Sequence, residues 1–279
     1  MLPMNKLRTV LVTGASSGFG ELTATRLLAS GSWKVYASAR NPDDLESLQK
    51  AGAIPLKLDV TSDEDVAAAI NTIIERDGRV DGLLANAGYG LYGTVEQLPL
   101  NQAQAEFDVN VHGVARLVRA ALPHMRQAGS GNIVITTSVA AYASTAGMAW
   151  YSASKFAVRG LVDGLRQEVA SFGVKVSMIE PGAVKTGFED AAFEPMDKLG
   201  EIKEYQPIVN GFKRYMHRSF AGAPGPEYVA DAMVTALSVQ NPKPHYRPTR
   251  GSASIIIIRK LLPTRTYDWL IAKLFARRS

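Results

Sequence analysis

Two side chains that lie four residues apart, Tyr151 and Lys155, have the types and spacing for acid/base chemistry. On a helix, this spacing places both on one face, about one turn apart. A free phenol has a pKa of about 10. Because a nearby ammonium stabilises phenolate, we expect Lys155 to lower the pKa of Tyr151 toward the operating pH. The pair predicts a proton donor and acceptor for interconverting a carbonyl and an alcohol, although helix surfaces also contain such pairs by chance.

A hydroxyl group that could assist this chemistry belongs to Ser138, thirteen residues before Tyr151 at the end of a predicted strand over residues 132–137. A hydrogen bond from this hydroxyl to a substrate oxygen would stabilise negative charge as it develops there. A serine at a strand end is also commonly a cap or turn residue, and taken alone Ser138 fits that interpretation better.

A glycine-rich turn occupies residues 13–20, between a first predicted strand and a first predicted helix. Gly14 allows a sharp turn, Gly18 lets backbone N–H groups approach a pyrophosphate, and Gly20 permits close packing of helix on strand. The helix N-terminus favours negative charge at the same place. The turn predicts a dinucleotide cradle, with a purely structural glycine turn as the alternative.

Arg40 follows the second predicted strand. At this position, an acidic side chain would bind the ribose 2′-hydroxyl of NAD, whereas a cationic one would bind the 2′-phosphate of NADP. The planar guanidinium suits a phosphate, so NADP(H) is favoured over NAD(H). Alternatively, Arg40 is solvated and Asp43 or Asp44 reaches the ribose. Asp59 and Val60 close the third predicted strand, where a carboxylate could accept from the adenine amino group or simply form a turn.

Short apolar runs alternate with helical patterns along most of the chain. The predicted strands are 9–12, 34–37, 54–58, 82–85, 132–136 and 174–179. This alternation is typical of an α/β fold, here a single-domain, doubly wound parallel sheet of the Rossmann type with helices on both faces, spanning 1–279. Residues 101–127 and 150–172 read as two long helices. They have more apolar residues than a single helix face packed on a sheet needs, which indicates either contact with a second subunit or additional core packing.

Two later segments depart from the alternating pattern. Residues 187–225 combine prolines with aromatic side chains, which favours a lid over a hydrophobic substrate; ordinary packing of short helices is the alternative. Residues 253–279 form a basic, amphipathic C-terminal extension that Pro263 should divide into two helices. Its apolar runs are too short and too charged to span a bilayer. Packing against the lid or a neighbouring subunit is favoured over lying on a membrane surface.

The composition excludes several function classes. The chain has no cysteine, so disulfides and thiolate chemistry are absent, and its four histidines show no metal-ligand spacing. Residues 259–279 hold six basic side chains and one acid, Asp268, which accounts for the whole net charge of +5. A nucleic-acid surface on the remaining, neutral part is therefore not expected. No apolar leader precedes the first strand, which favours a cytoplasmic protein.

The order and spacing of these motifs resemble the short-chain dehydrogenase/reductase family over nearly the whole chain. The matching residues also include Asn86, Ala87, Gly88 and Asn110. The resemblance implies Tyr151 as the acid/base and Lys155 as a ribose contact and phenol activator. It implies Ser138 as the ligand of the substrate oxygen, and Asn110 as a main-chain kink that holds a proton-relay water. The implied cofactor-binding residues are Gly14, Ser16, Ser17, Gly18, Phe19, Gly20, Arg40, Asp59, Val60, Asn86, Ala87, Gly88, Tyr151, Lys155, Pro181, Gly182, Val184 and Thr186.

Residues 35–42, the lid and the tail resemble the hydroxysteroid and retinol dehydrogenase-like branch or related ketoreductases. This resemblance implies a small hydrophobic substrate, a steroid-, retinoid- or aryl-ketone-like ketone or secondary alcohol, and a homodimer or homotetramer. A redox sensor or scaffold that binds NADP(H) without turnover is the alternative. The intact set of Ser138, Tyr151 and Lys155 argues against that alternative.

Overall fold

A parallel sheet runs through the molecule, whose computed structural model describes residues 7–200 and 202–276. Its strands are β1 (Arg8–Thr13), β2 (Trp33–Ala39), β3 (Ile54–Lys57), β4 (Gly82–Ala85), β5 (Gly131–Thr136), β6 (Val174–Ile179) and β7 (His245–Tyr246). They lie in the order β3-β2-β1-β4-β5-β6-β7. The first six agree with the predicted strands to within two residues at either end. The seventh was not predicted, because so short a strand has no readable periodicity.

Helices cover both faces of this sheet. They are α1 (Gly18–Ala29), α2 (Glu46–Lys50), α3 (Asp63–Asp77), α4 (Leu100–Phe107), α5 (Gly113–Ala128), α6 (Ala149–Glu168), α7 (Phe188–Lys198), α8 (Gln206–Ala221), α9 (Glu227–Ser238), α10 (Ser252–Leu261) and α11 (Thr264–Ala276). One apolar core lies between the sheet and α3, α5 and α6, and a second between the sheet and α1, α2 and α9. Leu11 joins the first core while Val10 and Val12 join the second, as alternation along a fully buried strand requires. The predicted doubly wound fold is confirmed.

The strand order reverses at β1, which pairs with β2 on one side and β4 on the other. Ligands of such sheets bind in the crevice at the carboxyl ends of the strands, where the order reverses. The glycine turn follows β1, Arg40 follows β2, Asn86 follows β4 and Ser138 follows β5. The topology therefore brings all the predicted motifs to one edge of the sheet.

The predicted helix over 101–127 is interrupted, which corrects the prediction of one continuous helix. A single π-helical turn, Asp108–His112, separates α4 from α5. Within it, the side chain of Asn110 bonds both the N–H and the C=O of Tyr89. This tertiary contact favours the wider turn at this point, and π-turns often lie at functional sites. The predicted helix over 150–172 ends earlier, at Glu168, and a 3₁₀ turn follows.

The segment 187–225, called the lid below, contains helices α7 and α8, and its role as a substrate lid stays a prediction. The predicted division of the tail at Pro263 is confirmed, since α10 ends before it and α11 begins after it. The predicted packing of the tail on the lid is also confirmed. The ring centroids of Phe275 and Phe212 lie 6.2 Å apart, and Arg214 Nη2 donates to the carbonyl of Phe275 at 3.0 Å.

Residues 1–6, 201 and 277–279, which belong to the predicted domain, lid and tail, lie outside the described part of the chain. Across 7–200 and 202–276, none of the helices has the length and apolar character needed to cross a membrane. Phe156 and Leu161 on α6 are exposed, and the subunit contact predicted for this helix stays a prediction.

Candidate active site

One large cavity opens at the carboxyl edge of the sheet, with a volume of about 1970 Å³. This exceeds the roughly 300–1,000 Å³ of ordinary ligand pockets, which leaves room for a dinucleotide and a second molecule. The predicted residues that line it are Gly14, Ser16, Ser17, Gly18, Phe19, Arg40, Asp59, Val60, Asn86, Ala87, Gly88, Ser138, Tyr151, Lys155, Pro181, Gly182, Val184 and Thr186. Two other predicted residues, Gly20 and Asn110, lie behind the wall instead.

The glycine turn has the backbone conformations that its sequence predicts. Gly14 and Gly18 have φ angles of +63° and +58°, which disfavour any residue with a Cβ. A Cβ at Gly20 would lie 2.1 Å from the carbonyl oxygen of Gly14, so α1 can approach the turn only with glycine there. Ser17 caps α1 without a side-chain hydrogen bond. The N–H groups of the first helical turn are therefore available to an anion such as a pyrophosphate.

A hydrogen-bonded clamp holds this turn against the neighbouring strand ends. The buried Thr13 hydroxyl donates to Leu84 O at 3.1 Å and accepts from the N–H groups of Asn86 (3.0 Å) and Ala87 (3.2 Å). Asn86 Nδ2 donates to the carbonyls of Thr13 (3.2 Å) and Gly14 (3.3 Å). Asn86 Oδ1 accepts from the hydroxyl of Thr136 at 3.0 Å. The clamp ties together the ends of β1, β4 and β5.

The far end of the cavity carries Arg40, an exposed side chain. Across the described residues, no carboxylate oxygen lies within 4.0 Å of its guanidinium. Asp59 accepts from the N–H (2.9 Å) and hydroxyl (2.8 Å) of Thr61, and these bonds, with the charge of Arg40, lower the pKa of its carboxyl. Asp43 and Asp44, the alternative ribose ligands, lie outside the cavity lining beside Asn41.

At the other end of the cavity, Tyr151 and Lys155 point inward from the first turns of α6, and both are buried. Lys155 Nζ donates to the carbonyl of Thr136 at 3.2 Å and lies 5.8 Å from the centre of the Tyr151 ring. Ser138 caps a short 3₁₀ turn, and its Oγ accepts from Ala140 N at 3.1 Å. The three predicted catalytic side chains thus share one wall.

The pKa of Tyr151 differs from the sequence-based expectation. Burial raises the pKa of this phenol well above its usual value, while the adjacent Ser138 hydroxyl opposes the increase. The same burial lowers the pKa of Lys155 to about 8. The predicted lowering of the phenol pKa is therefore not found, because desolvation by the surrounding protein is the dominant effect on this buried group.

The segment after β6 closes the cavity beside Ser138. Pro181 O accepts from Val139 N at 3.0 Å, and Ser138 Oγ donates to the same carbonyl at 3.4 Å. Gly182 N donates to the hydroxyl of Thr249 at 2.7 Å. Sequence reasoning missed Thr249, because a lone buried threonine just before the tail shows no motif. Its contact with Gly182 links the start of the tail to the predicted cofactor site.

Asn110 lies one layer behind Lys155. Its Nδ2 donates to Tyr89 O (2.9 Å) and Ser154 Oγ (3.1 Å), and its Oδ1 accepts from Tyr89 N (3.1 Å). A Cβ at Gly88 would lie 2.8 Å from Asn110 Oδ1 and 3.7 Å from Lys155 Nζ. Asn110 thus lies in the π-turn, and both its side chain and the Lys155 ammonium lie close to Gly88.

A second acid/base group, Glu106, was missed by the sequence reasoning. Its side chain is fully buried, four residues before Asn110, whose Nδ2 lies 3.5 Å from Glu106 Oε1. Oε2 has no hydrogen-bond partner within the described part of the chain. Burial raises the pKa of this carboxyl to about 8, although the charge of Lys155 opposes the increase. Its spacing to Asn110 on one helical face was the available signal.

The wall opposite the glycine turn is aromatic and apolar. The Tyr151 ring lies 5.6 Å from that of Phe188 on α7 and 6.2 Å from that of Tyr92, measured between centroids. Tyr92 in turn contacts Phe193 and Phe212 on the two lid helices, at 5.1 and 5.3 Å. This side of the cavity therefore suits an apolar molecule.

Comparison with known proteins identifies relatives over nearly the full length of the chain. A family model described as short chain dehydrogenase matches residues 8–197. The Escherichia coli (strain K12) protein named uncharacterized oxidoreductase YbbO is 34% identical over 266 residues, covering 95% of this chain and 94% of that protein. The 17-beta-hydroxysteroid dehydrogenase type 1 of Homo sapiens is 35% identical over 264 residues, covering 90% of this chain and 80% of that protein.

Solved structures with the same architecture include nucleotide complexes. A short-chain dehydrogenase from Streptomyces avermitilis is 32% identical, with a TM-score of 0.79 and coverage of 98% of this chain and 96% of that one. One from Burkholderia phymatum, in complex with NAD, has 28% identity, a TM-score of 0.78 and coverage of 92% of each chain. One from Burkholderia cenocepacia J2315, in complex with NADP, has 25% identity, a TM-score of 0.73 and coverage of 97% and 98%.

Proposed function

Because this chain belongs to the short-chain dehydrogenase family of oxidoreductases, we propose that it transfers a hydride between NADP(H) and a hydrophobic ketone or secondary alcohol. The observation that carries this proposal is the convergence of Ser138, Tyr151 and Lys155 on a cavity that has the glycine turn at one end and an aromatic wall at the other. Steroid-, retinoid- or aryl-ketone-like substrates suit that wall, and a relative named as a hydroxysteroid dehydrogenase supports this class.

The residues present fit a nicotinamide dinucleotide. Gly14 and Gly18 have the positive φ angles that a tight phosphate-binding turn requires, and the first turn of α1 offers free N–H groups to a pyrophosphate. Lys155 would hold the nicotinamide ribose, and residues 181–186 would contact the nicotinamide end. When bound, the dinucleotide supplies or accepts the hydride.

The high pKa of Tyr151 keeps its phenol protonated at neutral pH, which suits a proton donor for carbonyl reduction. As the carbonyl carbon receives the hydride, the π electron pair of the C=O bond moves to the oxygen. The phenol of Tyr151 then donates the proton that completes the alcohol. Ser138 would donate a hydrogen bond to that oxygen while its charge develops. The ammonium of Lys155 stabilises the phenolate that remains, until solvent returns the proton.

Preference for NADP(H) rests on Arg40. Its side chain lines the cavity beyond β2, and among the described residues no carboxylate oxygen lies within 4.0 Å of the guanidinium. A hydrogen-bonded contact to a charged group contributes about 1.5–3 kcal/mol, or roughly 10- to 150-fold in affinity. We expect Arg40→Gln to raise the KM for NADPH by about that factor, whereas the KM for NADH should change little. Arg119→Gln, at an exposed position away from the cavity, is the matched control.

The test follows NADPH and NADH oxidation by absorbance with steroid ketones, retinal and aryl ketones, for the wild type, Tyr151→Phe and Arg40→Gln. Turnover with NADPH that is abolished in Tyr151→Phe is the expected result. Binding of NADPH without turnover of any substrate would favour the sensor or scaffold. Equal use of NADPH and NADH, unchanged in Arg40→Gln, would contradict the cofactor assignment.

A further inference from the structure

The last helix, α11, uses only one stripe of its surface to pack on the lid. Ile271 and Phe275, four residues apart, form this stripe, with Phe275 only 5% exposed. One turn earlier on the same face, the Tyr267 hydroxyl donates to Ser144 O at 3.3 Å. Trp269 and Leu270 point elsewhere and are 57% and 40% exposed. The lid contact therefore does not account for the apolar character of this helix.

The preceding helix, α10, shows the same division more strongly. It buries Ser252 and Ile256, while Ile257 and Leu261, one turn apart, are 53% and 75% exposed. Seven of the fifteen large hydrophobic side chains that the described residues expose lie on α10 and α11. Single exposed apolar residues need no explanation, but this concentration on two adjacent helices marks an interaction surface.

Cations accompany these exposed apolar side chains. Lys260, Arg265 and Lys273 are exposed on the same two helices, and the Lys273 ammonium lies 5.8 Å from the centre of the Trp269 ring. Among the described residues, no carboxylate oxygen lies within 4.0 Å of any of these three cations. The sequence adds Arg277 and Arg278 directly after α11. The partner of this surface must therefore be both apolar and anionic.

We propose that α10 and α11 bind the surface of an anionic lipid bilayer. The exposed aliphatic and tryptophan side chains would enter the boundary between headgroups and acyl chains, while the cations contact the lipid phosphates. A second copy of this chain fits less well. A two-fold symmetric contact would place the same uncompensated cations of both copies in one interface.

The cavity gives this surface a role in substrate delivery, a step that rests on the proposed function. Ile255, Ile258, Tyr267 and Ile271 line the cavity from these two helices, and Ile255 and Ile258, which are 37% and 49% exposed, also belong to the exposed set counted above. The two helices therefore form part of the cavity wall and also the surface proposed to contact the bilayer. A lipid-soluble ketone could then enter from the membrane without crossing bulk water.

Vesicle co-sedimentation of the full-length protein tests the docking. We expect binding to vesicles that mix phosphatidylserine with phosphatidylcholine, weak binding to phosphatidylcholine alone, and loss of binding at high salt. Each basic residue near an anionic surface contributes about fivefold in partitioning, so Lys260→Gln/Lys273→Gln should reduce binding about 30-fold. Leu261→Gln/Trp269→Gln should also reduce it. Leu100→Gln, which changes an exposed leucine on α4, should not.

Thermal unfolding of each variant checks that the substitution leaves the fold intact. Tyr151→Phe should bind vesicles as the wild type does, which separates failure of the docking from failure of the proposed chemistry. Absence of wild-type binding to any vesicle would overturn the proposal. Equal binding to neutral and anionic vesicles, unaffected by the lysine substitutions, would also overturn it. A third result would also overturn it: a protein that does not bind vesicles but forms a dimer in analytical ultracentrifugation, with the dimer dissociated by Leu261→Gln/Trp269→Gln.

Discussion

Replacing Glu106 with glutamine tests whether this buried carboxyl is neutral or charged at physiological pH. Burial raises its pKa to about 8, so between the ordinary carboxyl value and about 8 the folded protein keeps a proton that the unfolded chain has released. The stabilisation associated with this proton is complete at low pH and is lost as the pH rises toward 8. Glutamine has nearly the same shape and cannot titrate, so Glu106→Gln should remove this pH dependence.

The expected magnitude follows from proton linkage. One proton bound in the folded but not the unfolded state changes the free energy of unfolding by about 1.4 kcal/mol per pH unit. From about pH 5.5 to about pH 7, the wild type should therefore lose about 2 kcal/mol relative to Glu106→Gln. In the wild type, Lys155 has a folded pKa of about 8 against 10.5 for a free lysine, so it stays largely protonated over this interval.

The assay is urea unfolding of both proteins at a series of pH values with constant ionic strength, so that the other titrating groups cancel in the difference. Glu75→Gln, at an exposed position on α3, should reproduce the wild-type slope and is the control. Parallel curves for the wild type and Glu106→Gln would refute the reasoning. They would mean that Glu106 is already ionised in the folded protein over this pH interval.

Three further outcomes are expected. Thr13→Val leaves the two N–H groups at 86–87 without their acceptor and should cost about 2–4 kcal/mol in urea unfolding, whereas Thr13→Ser should cost far less; equal stability of the two variants would contradict the role of the clamp. Gly20→Ala should weaken NADPH binding about tenfold or more in a fluorescence titration, because its Cβ would collide with the Gly14 carbonyl, and wild-type affinity in a folded variant would argue against this. The kcat/KM for carbonyl reduction should fall as the pH rises through about 8, where Lys155 loses its charge, and a profile flat across that pH would exclude this dependence on the ammonium.

Much of the fold could be predicted because the signals are local. Each of the first six strands is a short apolar run, and the glycines at 14, 18 and 20 mark a turn whose conformation no other residue type adopts as easily. The π-turn at Asp108–His112 could not be predicted in this way. It depends on hydrogen bonds between Asn110 and the backbone of Tyr89, which lies on another segment.

The candidate site shows the same limit. The residue types and spacing predicted which side chains line the cavity, yet the expected lowering of the Tyr151 pKa was wrong. The tyrosine is enclosed by Tyr92 and by Phe188, which are distant from it in sequence, and no pattern around residue 151 reports that enclosure. Glu106 was missed for a related reason, since only the folded chain shows that this acid is fully buried.

The contact between α11 and the lid also sets the order in which two parts of the fold can form during translation. The glycine turn, the clamp and β1 to β6 all lie before residue 180, and the N-terminal part of a chain leaves the ribosome first. The apolar wall, in contrast, needs α8 together with Phe275, which approaches Gly211 so closely that a Cβ there would lie 2.6 Å from the phenylalanine Cβ. A nascent chain can therefore assemble the glycine turn, the clamp and the first six strands early, but it completes the opposite wall only after α11 has been translated.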